Sequence, residues 1–350
     1  MRTLQELLRP NISQLEPYSC ARNEFSGKSA QVFLDANENP YNAPLNRYPD
    51  PLQTELKQHL AQIKGVQPEQ ICLGNGSDET IDLVYRCFCR PGKDNVVAID
   101  PTYGMYKVCA DINDVEYRSV PLNTQFDIQA EAMLDAADAN TKVMWICTPN
   151  NPSGNDLNEQ QIRMILDLFD GIVVIDEAYS DFTHRRAFRY ELNKYPNLIV
   201  LNTMSKAWAL AGIRLGMAFA SKDIIEVFNK VKYPYNINLL TQQKAMDALN
   251  HTLEVSKWVS TIILERSRLM DAFTQLPSCV KVYPSNANFF LTEMTNANDI
   301  YNYLVNRGII VRNRSRVSMC NNCLRITIGT KAENNELLAA LRIYDIENKK

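Results

Sequence analysis

Residues 198–220 read LIVLNTMSKAWALAGIRLGMAFA. An apolar strand pattern, Leu198–Asn202, enters a turn that carries Lys206, and a second apolar run, Leu215–Ala220, follows it. A lone lysine is normally a solvated surface residue. This one comes directly after a strand, lies between Ser205 and Ala207, and has Arg214 eight residues further on. Burial and neighbouring cations depress a lysine's pKa, which is what an imine-forming amine requires.

Outward from this stretch, short β-rich runs alternate with longer helical patterns. Further strands are expected at Gln70–Leu73, Asn95–Asp100, Lys142–Thr148 and Gly171–Asp176. Between two of the runs, Asn158–Phe169 brings Ile162, Ile165, Leu166 and Phe169 to one helical face. Apolar strands alternating with helices predict a mainly parallel sheet covered on both faces, an α/β domain. From about Leu239 the pattern changes to two long helical stretches, then short strands near Val280–Pro284, Asn288–Glu293, Ile309–Arg312 and Leu324–Gly329, with helices near Asn298–Arg307 and Ala332–Ile346. The expected division is a large domain over 41–238 and a smaller α+β domain over 239–350. Residues 1–40 are too irregular for a domain of their own and are grouped with the small one.

The chain has 350 residues, 45% hydrophobic and 22% charged, with a formal net charge of −3. That balance suits a globular protein of two domains. Lys and Arg are scattered, which argues against nucleic acid. No run approaches the roughly 20 apolar residues of a membrane span, and the opening MRTLQELLRPNISQLEPYS lacks the pattern of a secretory signal. The cytoplasm is therefore expected. Nine cysteines, an odd number set in apolar segments such as ICLG and VMWIC, read as reduced thiols. Cys320 and Cys323 have CxxC spacing, but a zinc site wants a second pair or histidines, and His59, His184 and His251 form no cluster. A redox pair would open a helix after a strand, whereas this one precedes a strand. No metal is expected.

Three other segments end strands in polar residues. ICLGNGSDET (71–80) leads an apolar strand through glycines into a helix capped at Ser77 and Asp78, a turn whose free N–H groups suit a phosphate provided the carboxylates of Asp78 and Glu79 point away. TPNNPSG (148–154) is a turn at a strand's carboxyl end, where open α/β sheets bind ligands. VVIDEAY (173–179) ends in adjacent acids. These acids suit Mg²⁺ with a nucleotide, although the usual phosphate loop is missing, or they suit a protonated ring nitrogen.

Together, in this order, the segments resemble the fold type I pyridoxal-phosphate enzymes, specifically the class I and II aminotransferases. The resemblance implies that Lys206 binds the cofactor and carries the proton, and that Asp176 keeps the pyridine nitrogen protonated. It implies that Asn151 and Tyr179 bond the ring oxygen and that Tyr103 stacks on the ring. Ser77, Thr203, Ser205, Arg214 and the backbone at Asp78 and Glu79 would hold the phosphate.

The chain is more closely similar to the histidinol-phosphate aminotransferases, through LDANENP (34–40), RYPDP (47–51), GSDE (76–79) and CLRITIGT (323–330). Ala43 stands where many relatives have glycine. This closer resemblance implies a homodimer in which Tyr48 reaches the neighbouring subunit's cofactor phosphate. It also implies an anion clamp of Arg325 and Arg312 with Tyr18 and Asn37 beside it. The implied reaction, a step of histidine biosynthesis, takes L-histidinol phosphate and 2-oxoglutarate to imidazole-acetol phosphate and glutamate. A fork of donors at Arg325 would serve phosphate and carboxylate alike. A threonine-phosphate decarboxylase and an aromatic aminotransferase share these requirements. A non-catalytic pyridoxal-phosphate sensor would need a fused DNA-binding domain, and only about forty irregular residues precede the cofactor core.

Overall fold

A computed structural model describes residues 2–20 and 32–348. Its larger sheet has seven strands: β1 (Ile71–Asn75), β2 (Asn95–Asp100), β3 (Glu116–Pro121), β4 (Thr141–Cys147), β5 (Ile172–Asp176), β6 (Leu198–Thr203) and β7 (Leu215–Ala220). They lie in the order β1-β7-β6-β5-β4-β2-β3. β7 runs antiparallel to both neighbours, and all other pairs are parallel. The carboxyl ends of β1, β2, β4, β5 and β6 therefore share one edge, joined there by the start of β7.

β4, β5, β6 and β7 are buried along their whole length, which explains their unbroken apolar runs. Alternate residues serve opposite faces. Met144, Ile146, Val173 and Ile175 join one core, while Val143, Trp145, Ile172 and Val174 join the other. β3 was not anticipated. It is an edge strand reading EYRSVP with only Val120 buried, so it lacks the apolar pattern that exposes a strand in sequence.

The smaller sheet comprises β8 (Cys279–Val282), β9 (Phe289–Met294), β10 (Arg312–Asn313) and β11 (Cys323–Thr327), all antiparallel in the order β10-β11-β9-β8. Leu269, Phe273, Phe290, Ile300, Leu324 and Leu338 form a third core between it and the helices Thr252–Phe273, Ala297–Asn306 and Lys331–Glu347.

The N-terminal residues depart from their expected grouping with the small domain. Leu7 and Ile12 enter the core that holds Ile81, Val84 and Trp145. Arg2 ion-pairs with Asp170 at 2.8 Å and donates to the Thr141 carbonyl at 2.9 Å, and Arg9 N donates to Cys87 O at 3.0 Å. Two short helical turns present too few apolar side chains to be assigned a partner from sequence. Among the described residues, no helix is long and apolar enough to cross a membrane.

Candidate active site

Asp176, the last residue of β5, is 3% exposed. Tyr106 Oη donates to its Oδ2 at 2.7 Å, and Ala178 N donates to Oδ1 at 3.0 Å. Burial pushes this carboxyl's pKa up, and the two hydrogen bonds oppose that push. Tyr106 is itself packed against Trp145 with ring centroids 4.8 Å apart. Sequence reasoning passed over Tyr106, although it lies only three residues after Tyr103 and the two rings meet edge to face with centroids 5.7 Å apart.

Lys206 follows β6 in the turn that begins at Thr203. Burial holds its ammonium pKa down, and Arg325 and Arg214 act the same way against the pull of Asp176 and Asp78. Lys206 Nζ stands 5.6 Å from the Tyr179 ring centre. A cavity of about 180 Å³ opens between Lys206 and Asp176, and Tyr103, Asn151 and Tyr179 also line it. Ser77, Thr203, Ser205 and Arg214 line the same cavity. Cys147, Ala178 and Ala211 also line it; a buried thiol in an apolar strand and two alanines carried no signal in sequence.

At the hydroxyl-rich end the backbone is tightly fitted. Gly76 has φ +77°, its N–H donates to Arg214 O at 2.8 Å, and a Cβ there would lie 2.5 Å from Arg214 Nη2. A Cβ on Gly216 would come within 2.3 Å of Ser77 N. Thr203 Oγ1 donates to Ser205 Oγ at 3.0 Å and accepts from Ser205 N at 3.1 Å. Glu79 is turned away, accepting from Asn75 N and from Asn236 Nδ2. Asp78, expected to do the same, instead lines the cavity, where it accepts from Tyr103 Oη at 3.0 Å and lies 3.6 Å from Arg214 Nη2. Two donors face its carboxylate, which is why it tolerates the inward position.

Arg325 extends from β11. Its Nη1 donates to Asn151 Oδ1 at 2.7 Å, and its guanidinium carbon lies 5.0 Å from the Phe289 ring centre. In the β10–β11 register it stands directly opposite Arg312. The loop carrying Asn151 is fastened to the segment before β9. Asn286 N donates to Gly154 O at 2.7 Å, and Asp156 N donates to Asn286 Oδ1 at 3.1 Å. Gly154 has φ +88°, and a Cβ on it would lie 2.7 Å from Ser285 Oγ.

Tyr48 lies outside the Lys206 cavity. It is half exposed, stacks on Tyr235 at 4.5 Å, and shares a second cavity with Asn37 and Arg47. Tyr18 is 73% exposed and lines neither cavity. Within one chain the structure therefore does not bring Tyr18 and Asn37 to Arg325. Cys320 and Cys323 are buried in the core that also holds Phe289.

The profile of the aminotransferase class I and II family matches residues 21–341. The histidinol-phosphate aminotransferase of Bacteroides fragilis is 60% identical over 344 residues, covering 98% of this chain and 100% of that protein. The histidinol-phosphate aminotransferase structure from Clostridium acetobutylicum superimposes with a TM-score of 0.80 at 25% identity, over 87% of this chain and 92% of that one. The enzyme of that name from Sinorhizobium meliloti, solved with pyridoxal 5′-phosphate, has the same fold, with a TM-score of 0.79 at 24% identity over 87% and 84% of the two chains. With its matched profile and its 60% identity over nearly the full length, the chain belongs to the class I and II aminotransferases, in the family of the histidinol-phosphate aminotransferases.

Proposed function

We propose that the protein moves the amino group of L-histidinol phosphate to 2-oxoglutarate, giving imidazole-acetol phosphate and glutamate, with pyridoxal phosphate in the Lys206 cavity. The donor set fits that cofactor. Hydroxyls and Arg214 gather at one end, a buried carboxylate stands at the other, and an amine of depressed pKa lies between them. When bound, pyridoxal phosphate supplies a carbonyl carbon for the amine and a ring that withdraws electrons from the substrate's Cα–H bond.

The chain's own residues do the rest. Ser77, Thr203, Ser205, Arg214 and the backbone N–H groups of Asp78 and Glu79 hold the phosphate. Asp176 keeps the proton on the ring nitrogen, and Tyr106 and Ala178 N fix the carboxylate that does so. Tyr103 covers a ring face. Asn151 accepts from Arg325 through Oδ1, which leaves its amide N–H₂ for the ring oxygen, beside the Tyr179 hydroxyl. Lys206, as a neutral amine, takes the Cα proton and later returns it. Arg325, with Arg312, holds in turn the donor's phosphate and the acceptor's carboxylate.

The observation that carries this reading is the Arg325–Asn151 bond, which sets a guanidinium fork beside the Lys206 cavity. The test is to mix the holoenzyme with histidinol phosphate, histidinol and threonine phosphate and follow the cofactor's visible absorbance. Rapid bleaching by histidinol phosphate alone supports the assignment. Release of carbon dioxide from threonine phosphate overturns it in favour of a decarboxylase.

The active unit is a cytoplasmic homodimer in this reading. Tyr48, Leu45 and Leu240 are exposed around the second cavity, and the partner subunit covers them while Tyr48 reaches its cofactor phosphate. Sedimentation at twice the chain mass is expected, and a fully active monomer would refute it.

A further inference from the structure

Arg314 was not singled out by the sequence, where it sits in the run RNRSR as one more exposed cation. The fold gives it a different setting. Its backbone N–H donates to Cys323 O at 2.8 Å, which fastens the exit of β10 against β11 two residues before Arg325. Arg312 faces Arg325 across the same pair of strands. Three guanidiniums thus share one sheet edge, and like charges placed opposite one another are destabilising. Proteins usually relieve such a cluster with a carboxylate. Among the described residues, none lies within ion-pair distance of Arg312, Arg314 or Arg325.

The side chains are also incompletely satisfied. Nε of Arg314 and Nε of Arg325 are buried without a hydrogen-bond partner. Burial, then Arg325 and Arg312, push the Arg314 pKa down to about 10. Arg314 is two residues after Arg312 on the same strand edge, so it falls on the side of the strand that Arg312 shares with Arg325, and its charge, with that of Arg325, opposes the larger upward push of burial on the Tyr179 hydroxyl. With Arg312 and Arg316 it lines a separate cavity of about 590 Å³.

We propose that Arg314 is a specificity-determining residue, a third guanidinium that makes the clamp favour a doubly charged phosphate over a singly charged carboxylate. The proposal rests on the reading of Arg325 and Arg312 as the substrate clamp. A bidentate arginine neutralises one carboxylate. A phosphate monoester carries about −1.5 to −2 and three acceptor oxygens, so it has both charge and lone pairs left for a further fork. The buried, unpartnered Nε of Arg314 is a donor available for that use. Histidinol phosphate and 2-oxoglutarate occupy the clamp alternately, and the third arm serves the first far more than the second.

The test uses the holoenzyme and reads the two half-reactions separately through the cofactor's absorbance, in wild type, Arg314→Gln, Arg314→Lys and Arg325→Ala. For Arg314→Gln the half-saturating concentration of histidinol phosphate should rise about 10- to 100-fold, with its limiting rate within about 3-fold. That of 2-oxoglutarate should move less than about 3-fold. Arg314→Lys keeps the charge without the fork and should raise only the histidinol phosphate value, by about 3- to 10-fold. If the glutamine variant does not fold, this second variant carries the test. Equal shifts for both substrates, or none for the phosphate, would overturn the proposal while leaving the clamp intact, provided Arg325→Ala impairs both. If Arg325→Ala impairs neither, the clamp reading itself has failed.

Discussion

At the Gly76 end of the cavity, polar groups are supplied mostly by backbone and short hydroxyl side chains, and the one cation there among the described residues, Arg214, already faces Asp78. At the β10–β11 edge, three long guanidiniums stand together with no described carboxylate among them. The first region is rigid and nearly neutral, with two glycines so close to their neighbours that a methyl group would collide. The second is built from flexible side chains with excess positive charge. A site that keeps its ligand through many turnovers benefits from preorganisation. A site that exchanges a phosphate for a carboxylate in every cycle benefits from cations that can rearrange around either.

This contrast can be broken by mutation, most severely at the residue between the two regions. Lys206→Ala should reduce transamination by at least about 10⁴-fold, since the general base is lost along with the amine that anchors the cofactor. Borohydride treatment followed by peptide mapping should label Lys206 in wild type, and a label on another lysine would refute the assignment. Next in size is Arg325→Ala, at about 30- to 5000-fold in kcat/KM for both substrates with cofactor retention unchanged. If histidinol and histidinol phosphate suffered equal fold-losses, Arg325 would be only a tie between the sheets.

Asp176→Asn should cost about 100-fold or more in turnover while the thermal midpoint stays within a few degrees. Near wild-type turnover would mean another group holds the ring nitrogen's proton. Gly76→Ala sharpens the contrast from the other side. Its φ of +77° and the 2.5 Å approach to Arg214 predict about a 10-fold weaker hold on the cofactor, measured by equilibrium dialysis. Discrimination between histidinol and its phosphate should be unchanged in the fraction that remains loaded.

The smallest effect is on stability against pH. Lys206 has its pKa depressed by burial first, so in the cofactor-free protein the folded state binds fewer protons than the unfolded chain just below the ordinary lysine range. Stability from this group therefore rises as pH climbs through that window, and the gain is complete above the unfolded lysine's pKa. Urea midpoints of wild type and Lys206→Met, compared from about pH 8 to about pH 10, should show a shallower rise in the variant. Lys57, Lys64 and Lys232 are likewise depressed by burial and supply the slope that both proteins retain.

The two regions also differed in how far the sequence disclosed them. β2 and β7 fall within the expected bounds because buried strands announce themselves as unbroken apolar runs. The residues around Lys206 gather because most of them end or directly follow a strand, Arg214 directly precedes one that runs the other way, and the sheet order brings those positions to one edge. The arginine edge was only partly legible. Arg325 lies within an apolar strand, where a charge is conspicuous, whereas Arg314 lies in a polar loop, where a charge is ordinary. The inward turn of Asp78 depends on Tyr103 and Arg214 arriving from elsewhere in the chain, and local sequence cannot report that. Asn37 lies at the second cavity and Tyr18 is exposed, and local patterning does not report which distant groups share a cavity.

The fastening at Gly154 has a mechanical meaning. The loop that presents Asn151 is tied to Asn286 and pressed against Ser285, so the root of the small sheet is pinned to the rim of the large one at that seam. Phe289, Leu291 and Cys323 of the small sheet are buried in the same core as Met144 and Ile146 of the large one, so the seam is clamped by apolar packing as well as by hydrogen bonds. Arg325 stands beside that clamp, so the distance of its guanidinium from Asn151 is set by the join between the two sheets and not by its own side chain alone.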